Sequence, residues 1–268
     1  PNDTKEKHFD SIRFAIDNQV KSLRIFQAIM LVGTEMASPD YRKKYGLQTS
    51  FRILPGTVGS YNICGEKYSA PETEEIITST EGLSQHEYLE CRVMDLIVST
   101  VYNNSIFEEI TGLLQALNIS VFDLLLTVYT NIEQFSQSLS EIISAFKTET
   151  LELFTSQKEA FDFATKPENV LKYLNGEMGT NELLVGKARL FQEFKALNDL
   201  LFYSTKVLLS ERNLLSKQTA NYVEELSLFV LHRKLNILEP SNNKQAMKFS
   251  FDFEYIMAKN FHAVPDSL

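Results

Sequence analysis

Apolar and polar positions divide the chain into an N-terminal stretch mixing helix and strand signals and a longer stretch that reads almost wholly as helix. Over residues 4–18, Phe9, Ile12, Arg13 and Ile16 fall at helical spacing, an apolar stripe beside a charged face. The run from Leu23 to Val32 is nearly all apolar and stops at Gly33, the pattern of a strand buried on both faces. Ser38-Pro39-Asp40 then predicts a short helix with Ser38 as N-cap and Pro39 in its first turn, ended by Gly46. A second strand is expected from Thr49 to Leu54, stopping at Pro55-Gly56. Helix, strand, helix, strand is the order of a parallel α/β sheet or barrel. Two strands cannot close one, so further strands are expected upstream.

From Ser84 the pattern becomes helical. Ser84 with Glu87 forms a capping box, and Leu89, Val93, Leu96, Ile97 and Thr100 share one face of the helix behind it. Ser105 with Glu108, and Ser120 with Asp123, repeat the start signal. Helical spacing continues through 121–137, 141–163, 167–174, 181–210 and 218–235, with Gly176 placed as a C-cap. Near the end, Met247, Phe249, Phe251 and Phe253 alternate with Lys248, Ser250 and Asp252, which predicts a half-buried strand. No internal repeat or low-complexity tract interrupts this organisation.

Composition narrows the partners. With 44% hydrophobic and 23% charged residues among 268, the chain has enough apolar material for an ordinary globular core. A net charge of -9 disfavours nucleic acid or an anionic membrane as the main partner, because phosphate binding needs clustered Lys and Arg. Arg42-Lys43-Lys44 is a short basic run of the kind found on solvated helix faces. Two distant cysteines suit a reducing, cytoplasmic compartment better than a disulfide scaffold. No apolar stretch is long enough to span a bilayer, and the polar opening without an initiator Met suggests processing or a fragment.

Chemistry-bearing positions are few. Gln27 is a lone polar residue in an apolar run, and Arg52 sits inside an apolar strand where it needs a carboxylate: Glu35, an upstream side chain, or a ligand. Strand ends carry active sites in parallel barrels, which draws attention to Gly33 and Glu35; a tight turn and a satisfied core amide explain Gly33 and Gln27 equally well. His8, His86, His232 and His262 have no ligand spacing and read as surface or cap residues. Cys64, beside Gly65, reads as exposed and Cys91 as core. The pairs Glu74-Glu75 and Glu108-Glu109 are placed at helix starts, where acids favour the dipole.

Three stretches carry a resemblance: Phe26-Gln27-Ala28-Ile29-Met30-Leu31-Val32-Gly33-Thr34-Glu35-Met36, Tyr41-Arg42-Lys43-Lys44-Tyr45-Gly46-Leu47, and Phe51-Arg52-Ile53-Leu54-Pro55-Gly56-Thr57. Together with Glu74-Glu75-Ile76-Ile77 and Tyr88-Leu89-Glu90-Cys91-Arg92, they resemble the late barrel strands of radical S-adenosylmethionine enzymes that carry an N-terminal cobalamin-binding domain. In that family a late strand ends in a Gly-Thr or Gly-Glu-Thr turn and the next in Pro-Gly-Thr. The likeness spans roughly residues 8–104. It implies an α/β fold: residues 1–104 as the last strands and helices of a partial (β/α) barrel, and 105–268 as a mostly α-helical domain with a terminal strand. It implies reductive cleavage of S-adenosylmethionine at a [4Fe-4S] cluster. Gln27, Leu31, Gly33, Glu35, Arg52 and Leu54 would then line the cofactor pocket. The cluster requires three cysteines in a CxxxCxxC loop, which Cys64 and Cys91 cannot supply, so the cluster and cobalamin modules are expected upstream. The alternative is a non-catalytic helical interaction protein with a small α/β cap.

Overall fold

The computed structural model describes residues 3–235 and 246–259. Its elements are α1 (Lys5–Asp17), α2 (Pro39–Lys44), β1 (Gln48–Ile53), β2 (Gly59–Ile63), β3 (Glu66–Ala70), β4 (Thr73–Ser79), α3 (Gln85–Ile97), α4 (Glu108–Ala116), α5 (Val121–Phe135), α6 (Gln137–Thr150), α7 (Gln157–Ala164), α8 (Pro167–Leu174), α9 (Glu182–Gln192), α10 (Phe194–Glu211), α11 (Lys217–Lys234) and α12 (Phe253–Ala258). The chain is therefore mostly helical with small sheets. It forms two units, one built mainly from Ile25–Arg92 and Phe146–Val185, the other from Phe9–Arg24, Val93–Ala145 and Gly186 onward. This division differs from a single boundary at residue 104, because 146–185 returns to the sheet.

In the first unit the two segments expected as strands run in the same direction but are not neighbours: β4, not expected as a strand, lies between them and is antiparallel to both. β1 pairs with β4, placing Arg52 opposite Glu74 and Phe51 opposite Glu75. The chain between them, 54–72, contains no helical crossover; it folds instead as the β2–β3 hairpin, and short connections of that kind deliver antiparallel neighbours. The hairpin turns at Cys64 and Gly65, both at positive φ (54° and 89°), the conformation a two-residue hairpin turn needs. The run expected to be a strand buried on both faces is an extended segment with one bridge, Ile29 to Ile76. Its ladder bonds are Met30 N to Glu75 O at 2.8 Å and Ile77 N to Ala28 O at 2.9 Å. On the far side of β1, Phe51 and Phe154 exchange both backbone bonds. The order across the sheet is thus residues 28–30, β4, β1, Phe154.

Alternation along the strands gives the sheet two faces. One face packs Met30, Leu47 and Ile77 against Met36, Tyr41 and Tyr45. Farther along, Phe51 and Ile53 meet Val58, Ala160 and Ala164 of α7, and Val170 and Tyr173 of α8. The other face carries Ile76, fully buried, and the polar side chains described below. Burying one such isoleucine contributes about 1.5–3 kcal/mol.

The second unit is a helical core. Leu124, Leu125, Val128 and Ile132 form the buried stripe of α5, and α10 packs against both α5 and α11. Phe107 stacks on Phe194 with ring centroids 5.7 Å apart. The terminal strand expected at 247–253 is absent; Phe253 opens α12, and Phe249, Phe251 and Phe253 lay their rings over Tyr222 and Phe229 of α11. An extended segment crossing a helix also shows every second side chain to it, so the period of two did not require a sheet partner. Burial there pushes the Tyr222 phenol up to about 12.

Several start signals act as written. Ser38 accepts from Tyr41 N, Ser84 N donates to Glu87 at 2.8 Å while Glu87 N donates to Ser84 Oγ at 3.2 Å, and Ser120 caps α5. Each such cap contributes ~1 kcal/mol. The expected Ser105–Glu108 box does not form, because Asn104 and Ser105 take left-handed backbone and Phe107 precedes α4. The stretch 141–163 breaks where Phe154 joins β1, and 181–210 splits at Glu193. His86 and His232 are exposed, and Cys64 is exposed and Cys91 buried. His262 lies outside the described residues.

Candidate functional site

Chemistry-bearing side chains concentrate on the Ile76 face of the sheet. Arg52 projects there from β1 and Glu74 from the paired position on β4, so strand register alone brings guanidinium and carboxylate together. Arg52 also donates through Nη1 to Gln27 Oε1 and lies 3.6 Å from Glu182 Oε1. Glu182, at the start of α9, accepts from Arg92 Nη2 at 2.9 Å. Gln27 Nε2 donates to the Tyr88 hydroxyl at 2.7 Å. The side chains of Arg52, Glu74, Glu182 and Arg92 are 21%, 12%, 12% and 6% exposed, so water does little to satisfy them. Burial also raises the Tyr88 phenol above its ordinary range. Two guanidinium groups face two carboxylates, and the cluster is neutral overall.

The opposite face repeats the device. Glu75 points away from Glu74, as adjacent strand residues must, and accepts from Arg42 Nη2 at 2.9 Å and from Thr49 Oγ1. The hydrogen bonds from Arg42 hold this carboxyl below its usual range against the opposing effect of burial. Glu74 and Glu75 thus stand on a strand, correcting their expected place at a helix start. In the helical unit, Glu109 is fully buried and accepts from Arg233 at 2.9 Å and Lys234 at 2.6 Å. Desolvation lowers the Lys234 ammonium despite that partner.

Of the six residues proposed for a cofactor wall, the structure brings together Gln27 and Arg52. Leu31 and Gly33 belong to an exposed turn in which Thr34 N and Oγ1 both bond Leu31 O, with Gly33 at φ 82°. Glu35 opens a 3-10 turn and is exposed; it is not the partner of Arg52, whose carboxylates come from Glu74 and Glu182. Leu54 is half-buried, its N–H bonded to Glu72 O at 2.8 Å. Cys64 on a hairpin turn and Cys91 inside α3 do not fit a cluster loop, and among the described residues no three metal-binding side chains converge.

Sequence reading did not assign Glu74, Tyr88, Arg92 and Glu182 to this site. The available signal was the demand of Arg52 for a carboxylate beside an acidic pair followed by Ile76-Ile77-Thr78, a β-branched run. The chain matches no protein-family model, and comparison with curated proteins gives no significant match. Among the described residues no helix is long and apolar enough to cross a membrane.

Proposed function

We propose that this chain is the C-terminal part of a cobalamin-type radical S-adenosylmethionine enzyme of the cytoplasm. In this reading an upstream (β/α) barrel and cobalamin-binding domain hold the cluster, the S-adenosylmethionine and the cobalamin. The present chain contributes a final extended segment, an antiparallel flap and a helical domain on the substrate side. Besides the sequence resemblance, the observation that supports it is the run 25–34: ten uncharged residues, mostly apolar, bridged to β4 at Ile29, whose own N–H and C=O point away from β4 and have no backbone partner among the described residues, with Phe26 81% exposed. Such an edge belongs beside another strand. The test is to extend the coding sequence upstream, express the longer product without oxygen and reconstitute it with iron and sulfide. A CxxxCxxC motif, cluster absorption and formation of 5'-deoxyadenosine from S-adenosylmethionine are expected. An upstream reading frame without that motif, or a longer product that binds no iron, overturns the proposal.

One observation favours a second reading, a non-catalytic helical interaction protein with an α/β cap. The polar side chains of the sheet are spent on one another: Arg52, Arg92, Glu74 and Glu182 form a mutually compensated cluster. Under that reading the longer product shows no chemistry, and substitutions in the cluster change stability alone.

A further inference from the structure

Of the asparagines in the chain, only Asn175 is followed by glycine. The pair closes α8: Asn175 is its C-cap, Gly176 comes next at φ 74°, and both are exposed. Gly176 N donates to Tyr173 O at 3.1 Å and Glu177 N to Lys172 O at 2.8 Å, the two bonds that end a helix on a left-handed glycine. Asn175 keeps its amide at the surface, with Nδ2 3.4 Å from Glu177 Oε1. We propose that Asn175 is a site of spontaneous deamidation, in which the backbone nitrogen of Gly176 displaces ammonia from the side chain.

The step needs no co-reactant beyond water. The Gly176 nitrogen loses its proton to solvent and attacks Asn175 Cγ; the N–Cγ bond forms, the Cγ–Nδ2 bond breaks, and the amide nitrogen leaves as ammonia after taking up protons from solvent. The cyclic imide then adds one water and opens at either of its carbonyls, giving aspartate or isoaspartate. Glycine favours the attack because it has no Cβ to shield its nitrogen. The closed turn opposes it, since the Gly176 N–H is held by Tyr173 O, so the reaction proceeds from the frayed form of this last turn. Such openings are low in free energy at a solvent-exposed helix end, here that of an eight-residue helix. Either product adds a negative charge beside Glu177 at the end of α8 where the helix dipole disfavours it. Isoaspartate also lengthens the backbone by a methylene and upsets the spacing of the two capping bonds.

The inference does not rest on the enzyme reading, which stands or falls on iron binding by a longer product, whereas this one is read from the covalent structure of the present chain. The 268-residue protein is aged at mildly alkaline pH and digested, and the peptide containing residue 175 is followed by mass spectrometry, with enzymatic methylation of isoaspartate as a second readout. Asn175 should convert ahead of every other asparagine, and faster as pH rises. Gly176→Asn retains a residue that tolerates the left-handed cap, and its Cβ meets no other atom within 4 Å, so the turn stays closed. The added side chain beside the nitrogen should slow conversion of Asn175 at least about tenfold, a barrier higher by ~1.4 kcal/mol. An aged chain in which Asn175 is not the first asparagine to convert, or a Gly176→Asn protein in which it converts as fast as in the parent, overturns the proposal.

Discussion

Removing the guanidinium of Arg52 isolates the question of what the buried cluster does. Arg52→Met keeps most of the aliphatic stem and its packing but deletes the donors to Glu74 and Gln27 and the cation 3.6 Å from Glu182. Glu182 keeps Arg92 at 2.9 Å, whereas Glu74, 12% exposed, loses the cation paired with it in the strand register. Breaking a buried ion pair by deleting one partner costs about 3–5 kcal/mol. Arg52 itself is 21% exposed, so some water reaches the pair and the loss should sit at or below the low end, about 2–3 kcal/mol. Arg52→Lys should cost less, about 1 kcal/mol, because one ammonium cannot serve Glu74 and Gln27 with the planar fork of an arginine. The double variant Arg52→Met with Glu74→Leu removes the stranded charge and should recover most of the loss. The chain has no tryptophan, so urea unfolding is best followed by far-ultraviolet circular dichroism. An Arg52→Met protein within about 0.5 kcal/mol of the parent, or a double variant no more stable than the single one, refutes a structural role for the pair.

Two further outcomes follow from the other ion pairs. Glu75 has its carboxyl held low by Arg42, so its folded pKa lies below the unfolded value near 4.3. The stability it contributes is present above pH ~4.3 and is lost as pH falls through the folded value; Glu75→Gln should therefore flatten the decline in urea midpoint between about pH 5 and 3. An unchanged acid profile would contradict the pairing. In the helical unit, Glu109→Gln leaves the largely buried Lys234 ammonium without its carboxylate and should cost about 3 kcal/mol, largely restored by adding Lys234→Met. Thermal unfolding of the single and double variants checks this, and equal losses in both would reject it.

Local signals were legible in the sequence where a residue needs only its near neighbours. Pro167–Leu174 appears as a helix of those bounds, and the Ser84–Glu87 box closes as its spacing dictates. The strand between the two expected ones was not legible, because Glu74-Glu75 reads as a helix start and it is the hairpin across 59–70 that returns the chain beside β1 as an antiparallel partner. The phenylalanines at 249–253 mislead for a related reason, since a period of two states that a segment is extended and half-covered without stating by what. Within the site, Gln27 and Arg52 stand out because polarity in an apolar run demands an explanation. Glu182 does not, being one acid among many at the start of a helix.

That asymmetry bears on how the sheet is held. Arg52 meets Gln27 from the extended segment, Glu74 from β4 and Glu182 from α9, whose carboxylate in turn engages Arg92 from α3. Each partner is separated from Arg52 by at least 22 residues, so none reaches it until the sheet and the covering helices are in register. A cluster that is neutral only when all elements are in place penalises every arrangement in which one is missing, because a charge is then stranded. On this argument the uncharged edge and the charged face have different roles. The face fixes the internal order of the sheet, whereas the edge adds the single bridge from Ile29 to Ile76, with the N–H and C=O of Ile29 turned away from β4.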